Sequence, residues 1–253
     1  ADSSISFDNV TFTYDGAARP ALMNVRFHLP QGAAYALVGP SGGGKSTIAR
    51  LIPRFFDVQE GAVLVGGQDV RSIPAAELME QISFVFQEVH LFKKSIRDNI
   101  RAARPNATEE EILQAAQLAQ CGDILEKIPG GLDAVIGAKG VYLSGGEMQR
   151  IALARAILKD APIVVLDEAS SFADPENEVK IQKAFEVLMK GKTVLMIAHR
   201  LSTVRRMDRI LVIKKGVVVE EGKHDELIEK GGVYASMWEE YQSAAQWKVG
   251  GEE

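Results

Sequence analysis

The stretch LVGPSGGGKSTIARL, residues 37–51, has four glycines between positions 39 and 44. It fits the pattern G-x-x-x-x-G-K-[ST], with Gly39 and Gly44 as the fixed glycines and Lys45 and Ser46 after them. A buried strand precedes the stretch and a helical pattern follows it, which is the context that this pattern requires. Backbone N–H groups in such a loop turn inward and bind an anion at a helix N-terminus. The sequence therefore predicts a phosphate-binding loop.

Each residue type in the loop has a chemical reason to be there. The glycines at 42, 43 and 44 leave no Cβ between the backbone N–H groups and a phosphate. Lys45 supplies a point charge between the β- and γ-phosphates, and the Ser46 hydroxyl can bind Mg²⁺. The alternative is a flexible Gly/Ser turn that happens to precede Lys-Ser. The flanking strand and helix favour the phosphate site over that alternative.

The remaining pattern predicts an α/β fold. The runs AYALV, ISFVF, IVVLD and VLMIAH have the composition of strands buried on both faces. Helical segments lie between them, which favours parallel strands with crossover connections. Earlier in the chain, ISFDNVTFTY places Val10, Phe12 and Tyr14 on one face of an antiparallel strand. A helix-rich stretch from Glu88 to Asp160 is inserted between two sheet strands.

Polar residues close three of the buried runs. Asp167 and Glu168 end IVVLDE, His199 ends VLMIAH and Gln87 ends ISFVFQ. Strand ends of such sheets face the ligand crevice, so these side chains are candidates for a second half of the phosphate site. Asp167 would hold Mg²⁺ through water, and Glu168 would polarise the attacking water. His199 could bond a γ-phosphate, while the Gln87 amide oxygen could bind the metal or the water. Solvated carboxylates at a strand end are the alternative, and the glycine loop favours the functional interpretation.

Composition excludes several classes of protein. With 46% hydrophobic and 25% charged residues, the chain has the balance of a globular protein that buries a sizeable core. A net charge of -5 argues against a surface that grips nucleic acid. The single cysteine, Cys121, permits no internal disulfide. No apolar run approaches the ~18 residues of a membrane-spanning helix.

The stretch YLSGGEMQRIALARAI, followed by IVVLDEA, resembles the signature segment of the ATP-binding cassette (ABC) superfamily. The resemblance covers nearly the whole chain and implies an ATPase. Implied catalytic residues are Glu168, His199, Lys45 and Gln87. Implied Mg²⁺ ligands are Ser46, Gln87 and Asp167. The implied ATP-binding residues are Tyr14, Gly39, Ser41, Gly42, Gly43, Gly44, Lys45, Ser46, Thr47, Ser144, Gly145, Gly146, Glu147 and Asp174, with Tyr14 stacking on adenine.

The resemblance also implies the fold and a partner. The expected fold is a P-loop NTPase (RecA-like) parallel sheet core with an N-terminal antiparallel β subdomain and an inserted α-helical subdomain. We expect one domain over residues 1–253, with the core in 1–87 and 161–253 and the signature helices in 88–160. In the family two such domains pair head to tail, so Ser144, Gly145 and Gly146 would contact the γ-phosphate held by the other domain.

Smaller segments resemble one branch of the family. LIPRFFDVQEG, HLFKKSIRDNI and IAHRLSTVRRMDRILVIKKGVVVEEGKHDELIEKGGVY are similar to exporter-fold ABC transporters, in which a membrane domain precedes the nucleotide domain. This predicts that the chain belongs to a longer polypeptide, in keeping with its lack of an initiating methionine. The expected location is the cytoplasmic face of the membrane, with a transmembrane domain and a second nucleotide domain, identical or different, as partners and no nucleic acid.

The sequence departs from the family pattern at three places. Glu147 stands where glutamine is usual, and Ser144-x-x-Glu147 is also a capping box, so the residue has either a local role or an added charge that weakens phosphate binding. Phe172 and Ala173 alter the usual Ser-Ala-Leu-Asp loop but keep Asp174. Ala138 replaces a glutamate that contacts the membrane domain in exporters.

Two other functions fit parts of the sequence. Soluble ABC proteins of translation or DNA repair use ATP-driven dimerisation on nucleic acid, but they usually carry tandem cassettes or coiled-coil insertions that this chain lacks. A regulatory module that binds nucleotide without hydrolysis is the second alternative. The presence of both Glu168 and His199 argues against it.

Overall fold

The computed structural model describes residues 2–168 and 174–249, with side chains to residue 244. Its strands are β1 (Ile5–Phe12), β2 (Leu22–Leu29), β3 (Ala34–Val38), β4 (Glu60–Val65), β5 (Gln68–Asp69), β6 (Ile82–Val85), β7 (Ile163–Asp167), β8 (Thr193–Ile197), β9 (Arg209–Lys214) and β10 (Val217–Gly222). Its α-helices are α1 (Lys45–Leu51), α2 (Ala75–Glu80), α3 (Ile96–Arg101), α4 (Glu109–Leu118), α5 (Gly122–Lys127), α6 (Gly145–Lys159), α7 (Pro175–Met189), α8 (Leu201–Val204), α9 (His224–Lys230) and α10 (Val233–Val249).

The N-terminal strands form the predicted antiparallel sheet, in the order β2-β1-β4-β5. Val10 and Phe12 of β1 are buried, as their alternation predicts, and Val10 pairs with Val25 of β2. The register of β1 shifts between Phe7 and Val10, where Asn9 has a φ of 49°. Tyr14 lies beyond the end of β1, because the strand stops at Phe12.

The second sheet has the order β10-β9-β3-β8-β7-β6 and carries the predicted parallel core. β3 pairs in parallel with β8 on one side and with β9 on the other. β9 and β10 are antiparallel and are joined by a hairpin turn at residues 215 and 216. The α/β class predicted from the four apolar runs is therefore confirmed.

The chain divides into two compact units. The first contains Ala1–Met79, Leu166–Glu168 and Thr193–Glu253, and the second contains Glu80–Val165 and Ala169–Lys192. The helix-rich stretch 88–160 lies wholly within the second unit, while its status as a separate subdomain stays a prediction. In the first unit, a buried cluster joins the central strands to the C-terminal helices; its members are Ala36, Val38, Ala198, Leu201, Val204, Ile210, Val212, Leu227 and Tyr234.

The second unit is organised around α6. This helix packs against α3, α4, α7 and β6, and buries Ile151, Leu153 and Ala154 completely. Its C-terminal end is closed by Asp160 in the left-handed conformation. A helix contacted on several sides has no wide polar face, which fits the many buried positions along α6.

Within residues 2–168 and 174–249, none of the helices combines the length and the apolar character that a membrane span requires.

Gly61 tests the packing of the antiparallel sheet. Its φ is +79°, and an added Cβ would lie 2.3 Å from the Asp8 carbonyl oxygen and 2.4 Å from that of Asn9. Gly32 also has a φ of +79°, but an added Cβ there meets nothing within 4 Å. We expect Gly61→Ala to lower the free energy of unfolding by about 1–3 kcal/mol more than Gly32→Ala, since only the first forces the backbone apart. Urea unfolding of both variants checks this, and equal losses would contradict the close approach.

Candidate functional site

The predicted phosphate loop connects β3 to α1, within the first unit. Gly39 follows β3 with a φ of +141°, and an added Cβ would lie 2.0 Å from the carbonyl oxygen of Ile213 in β9. Gly44, just before α1, has a φ of +109°, and its Cβ would lie 2.7 Å from a Leu22 methyl carbon. Gly216 N donates to the Gly43 carbonyl oxygen at 2.8 Å, which fixes the loop to the hairpin turn. Both fixed glycines are therefore required by φ and by space.

Lys45 starts α1 and is 8% exposed. Its ammonium donates to the Gly39 carbonyl oxygen at 2.5 Å, so it closes over its own loop. Burial lowers the pKa of Lys45, and the nearby Asp167 carboxylate opposes that shift. Ser46 lies next to it in the first turn and is exposed. An ammonium and a hydroxyl thus lie at the entrance of the loop, as the sequence predicts.

Asp167 and His199 meet at the ends of their strands. Asp167 is the last residue of β7, and His199 lies two residues after the end of β8. His199 Nε2 donates to Asp167 Oδ1 at 2.9 Å; the carboxylate only accepts, so the proton is on Nε2. The side chains are 28% and 17% exposed, which leaves the pair accessible. Sequence reasoning placed both at this edge but not their direct hydrogen bond.

Glu168 is the most deeply buried carboxylate of the site, at 1% exposure. Its backbone N–H donates to the Ile197 carbonyl oxygen at 2.9 Å, which holds the ends of β7 and β8 side by side. Thr203 Oγ1 donates to Glu168 Oε2 at 2.8 Å, whereas Oε1 has no hydrogen-bond partner among the described residues. Burial raises the pKa of Glu168, opposed by Thr203 and by Arg200, whose Nε lies 3.8 Å from Oε1. One carboxylate oxygen is therefore buried without a hydrogen bond from the described residues.

Tyr14 is held beside the loop by two kinds of contact. Its hydroxyl shares a 2.8 Å hydrogen bond with Thr47 Oγ1, the residue after Ser46. Its ring meets Phe12 and Phe56 edge-on, at centroid distances of 4.8 and 5.2 Å. The predicted aromatic is thus next to α1, although stacking on a base stays a prediction.

The signature residues belong to the second unit and start α6. Ser144 Oγ accepts from Glu147 N at 3.1 Å, and Glu147 Oε1 accepts from Ser144 N at 3.0 Å. This is the capping box expected from the spacing. The N–H groups of Gly145 and Gly146 lie in the first turn, where a helix has no internal acceptors for them. A helix end of this kind is able to bind an anion.

Glu147 also has a counter-charge that the sequence did not reveal. Lys127 Nζ lies 2.6 Å from Glu147 Oε2 and donates to it. Burial raises the pKa of Glu147, but the hydrogen bonds from Lys127 and Ser144 N outweigh burial and leave that pKa below its usual range. The carboxylate is ionised and paired, which supports the local capping role over an unbalanced charge.

The other predicted residues occupy separate places. Gln87 lies in the bend after β6, in the second unit. Asp174 is the N-cap of α7, and its Oδ1 accepts from Glu176 N at 3.0 Å. Ala138 is exposed in a turn closed by its N–H to the Val135 carbonyl oxygen at 3.1 Å. The altered positions Phe172 and Ala173 lie outside the described residues.

Two functional contacts escaped sequence reasoning. Thr203 lies in the segment IAHRLST, which carried the exporter resemblance, so its hydroxyl was a findable partner for Glu168. Lys127 lies 20 residues before Glu147, with no local signal that links them. The unusual glutamate was itself the only clue that a cation should be near.

A glycine loop at the carboxyl end of β3, with two acidic residues at the carboxyl end of β7 in the same sheet, defines a P-loop nucleotide-binding domain. A sequence model of the ABC transporter family matches residues 22–171, more than half of the chain. The ATP-dependent lipid A-core flippase of Escherichia coli K12 is 50% identical over 238 residues, which is 94% of this chain and 41% of that protein. The flippase of Shigella flexneri gives the same values.

The solved structure of a bacterial Atm1-family ABC exporter with ATP bound superposes with a TM-score of 0.87 at 40% identity. The match covers 94% of this chain and 42% of that one. The chain therefore belongs to the ABC transporter family, as one of its ATP-binding ATPase domains. It spans about two fifths of the length of the curated relatives it matches, 41% for each flippase.

The role of Glu147 can be separated by two substitutions. Glu147→Ala removes the bond to Ser144 N and the ion pair, whereas Glu147→Gln keeps the first. We expect the alanine variant to lose about 1 kcal/mol of unfolding free energy and the glutamine variant clearly less, because capping contributes more than a solvent-screened pair. Denaturant unfolding measures both.

The control for Glu147→Ala is Glu110→Ala, an exposed glutamate in the first turn of α4. Glu110→Ala should lower the free energy of unfolding by no more than about 0.5 kcal/mol. Equal destabilisation by the alanine and glutamine variants at 147 would show that Lys127, not the cap, accounts for the effect.

Proposed function

We propose that the chain hydrolyses Mg-ATP in a head-to-tail dimer and thereby drives transport by an exporter-fold ABC transporter. The observation that carries the proposal is the buried Glu168 carboxylate at the sheet edge that also holds the glycine loop. One of its oxygens has no hydrogen-bond partner among the described residues. The exporter branch is supported by the similarity to lipid A-core flippases and an Atm1-family exporter.

In the proposal, bound ATP replaces hydrogen bonds that the site residues otherwise make with each other. Lys45 bonds the Gly39 carbonyl oxygen, and a phosphate entering the loop offers that ammonium a charged acceptor. The N–H groups of the loop and the start of α1 hold the phosphates in place. Gly39, Ser41, Gly42, Gly43, Gly44, Lys45, Ser46 and Thr47 form this cradle in the proposal, with Tyr14 against the adenine.

The donor groups fit a magnesium ion. Ser46 offers a hydroxyl, Asp167 a carboxylate and Gln87 an amide oxygen, all hard oxygen ligands of the type that Mg²⁺ prefers. His199 bonds one oxygen of Asp167 in the structure, so that hydrogen bond would have to lengthen or break for the metal to use the same atom. A bound Mg²⁺ would neutralise charge on the β- and γ-phosphates.

Glu168 and His199 perform the chemistry in the proposal. Glu168 Oε1 accepts the proton of the attacking water, while the hydrogen bond from Thr203 to Oε2 keeps the carboxylate oriented. Once His199 leaves Asp167, its Nε2–H can donate to the γ-phosphate, and Lys45 stabilises the same group. Gln87 contributes its amide to the water or the metal.

The composite site explains why the signature is a helix end. Gly145 and Gly146 present N–H groups, and the Ser144 hydroxyl can donate because its oxygen already accepts from Glu147 N. In the proposed dimer these groups bind the γ-phosphate held by the other subunit, so ATP joins the two chains. Asp174 reaches the same interface.

The partners follow from the same family membership. We propose that a transmembrane domain of the same transporter and a second nucleotide domain surround this one at the cytoplasmic face of the membrane. The soluble alternative on nucleic acid has no support from the relatives, which are named as a flippase and an exporter. A net charge of -5 also argues against nucleic acid.

Glu168→Gln is the variant that tests hydrolysis. We expect the ATP turnover rate to fall by a factor of about 100 or more, because the amide cannot accept the proton. ATP affinity should be retained, since the glycine loop is unchanged. Size exclusion with light scattering should then show a monomer without nucleotide and a dimer with Mg-ATP.

The control is Glu77→Gln, an exposed glutamate on α2. Its turnover should match the unsubstituted chain and rise faster than linearly with protein concentration, as expected when only dimers are active. Unchanged turnover in Glu168→Gln, or failure of the folded chain to bind Mg-ATP, would refute the proposed function.

A further inference from the structure

Asn177 connects two motifs of the second unit that are far apart in the sequence. It lies in the first turn of α7, and its Nδ2 donates to Oδ2 of Asp174, the N-cap of that helix, at 3.1 Å. Its Oδ1 accepts from the Arg150 guanidinium on α6 at 2.7 Å. The first contact is local, but the second spans 27 residues and reaches the signature helix.

The position of Arg150 in this connection is fixed by its other hydrogen bonds. Its side chain is 1% exposed, and its NH1 donates to the Gln120 carbonyl oxygen at 2.5 Å and to Asp123 Oδ1 at 2.6 Å. NH2 donates to Asp123 Oδ2 at 3.1 Å, which completes a bidentate pair. A buried guanidinium held in this way has little freedom to rotate, so the acceptor on Asn177 has a fixed position.

The amide of Asn177 can satisfy both neighbours in only one orientation. Arg150 has only donors and the Asp174 carboxylate only acceptors, so the oxygen must face Arg150 and the nitrogen must face Asp174. Aspartate would present an acceptor to Asp174, and leucine would present neither group. The position therefore needs one donor and one acceptor on a short side chain.

The second glycine of the signature leaves the space for this amide. A Cβ on Gly146 would lie 3.0 Å from Asn177 Cγ and 3.1 Å from its Cβ. The backbone of α6 at the anion-binding end thus packs directly against the side chain that holds Asp174. A larger residue at position 146 would displace the Asn177 side chain, so the close approach of the two helices depends on this glycine.

We propose that Asn177 is a positioning residue that fixes Asp174 to the signature helix, so that both reach the partner's ATP as one body. The inference rests on the proposed head-to-tail dimer. Asn177 needs no contact with nucleotide for this role. Its effect appears in the assembly of the dimer and leaves ATP binding by the separate chain unchanged.

The experiment uses the 253-residue chain carrying Glu168→Gln, so that bound ATP is not consumed. We would measure the protein concentration at which half of the chains are dimeric in Mg-ATP, by light scattering. Asn177→Asp is expected to raise that concentration about tenfold or more, because it turns the bond to Asp174 into a repulsion between carboxylates. Asn106→Asp, at an exposed position of the same unit, is the charge-matched control and should change it less than about twofold.

A second parent variant, Asp174→Asn, distinguishes a positioning role of Asn177 from a general loss of stability. In Asp174→Asn, position 174 supplies the amide donor, and asparagine remains a good N-cap. There Asn177→Asp should cause no loss of dimerisation relative to Asp174→Asn alone and should improve it. In that background Asn177 Nδ2 faces another amide donor, whereas the new carboxylate accepts from both Arg150 and position 174. An equal loss of dimerisation from Asn177→Asp in both backgrounds would overturn the proposal. A lower melting temperature with no change in the protein concentration at which half of the chains are dimeric would also overturn it.

Two further measurements complete the test: the ATP affinity of the monomeric chain and the dimerisation of the Glu168→Gln parent. ATP affinity of the monomeric chain should be the same for all variants, and a loss there would contradict a role restricted to the interface. If the Glu168→Gln parent itself fails to dimerise in Mg-ATP, the proposed function fails. If the parent dimerises and Asn177→Asp dimerises equally well, only the positioning role fails.

Discussion

The first unit depends on one steric constraint, the passage of residue 39 across the end of β9. The backbone there lies so close to the Ile213 carbonyl oxygen that a Cβ would be 2.0 Å from it. Only glycine fits, and its φ of +141° turns the chain from β3 into the phosphate loop. Because the loop crosses the carboxyl edge of the sheet, it lies at the same edge as the ends of β7 and β8. The acidic residues and the histidine are delivered to that edge.

Several polar side chains of the site form hydrogen bonds with other groups of the same site. Lys45 bonds the loop, His199 bonds Asp167, and Tyr14 bonds Thr47. These contacts satisfy buried or half-buried polar groups that would otherwise destabilise the fold. Nucleotide binding then replaces one set of hydrogen-bond partners by another. The free-energy cost of this exchange is smaller than the cost of leaving the same groups without a partner. Glu168 differs, since Thr203 donates to one oxygen while the other has no hydrogen-bond partner among the described residues.

The features that sequence predicted well are those whose signal is contiguous. The glycine loop, the four apolar strands and the capping box at Ser144 each need only neighbouring residues to be recognised. Contacts between distant residues carry no such signal. Lys127 meets Glu147 across 20 positions, and Arg150 meets Asn177 across 27, through packing of helices whose angles the sequence does not state. Tyr14 was placed on β1 by alternation, but the strand ends at Phe12, after a register shift near Asn9.

The central claim is that one chain's signature serves the ATP held by another, and complementation measures it directly. In the Glu168→Gln background, Lys45→Met would disable the loop, while Ser144→Asp would keep the helix cap but place a charge against the partner's phosphate. Neither variant should dimerise alone in Mg-ATP. Mixed with different fluorescent labels, they should form dimers with one copy of each, which restore one intact site. A mixture that stays monomeric at concentrations where the parent is dimeric would contradict the account.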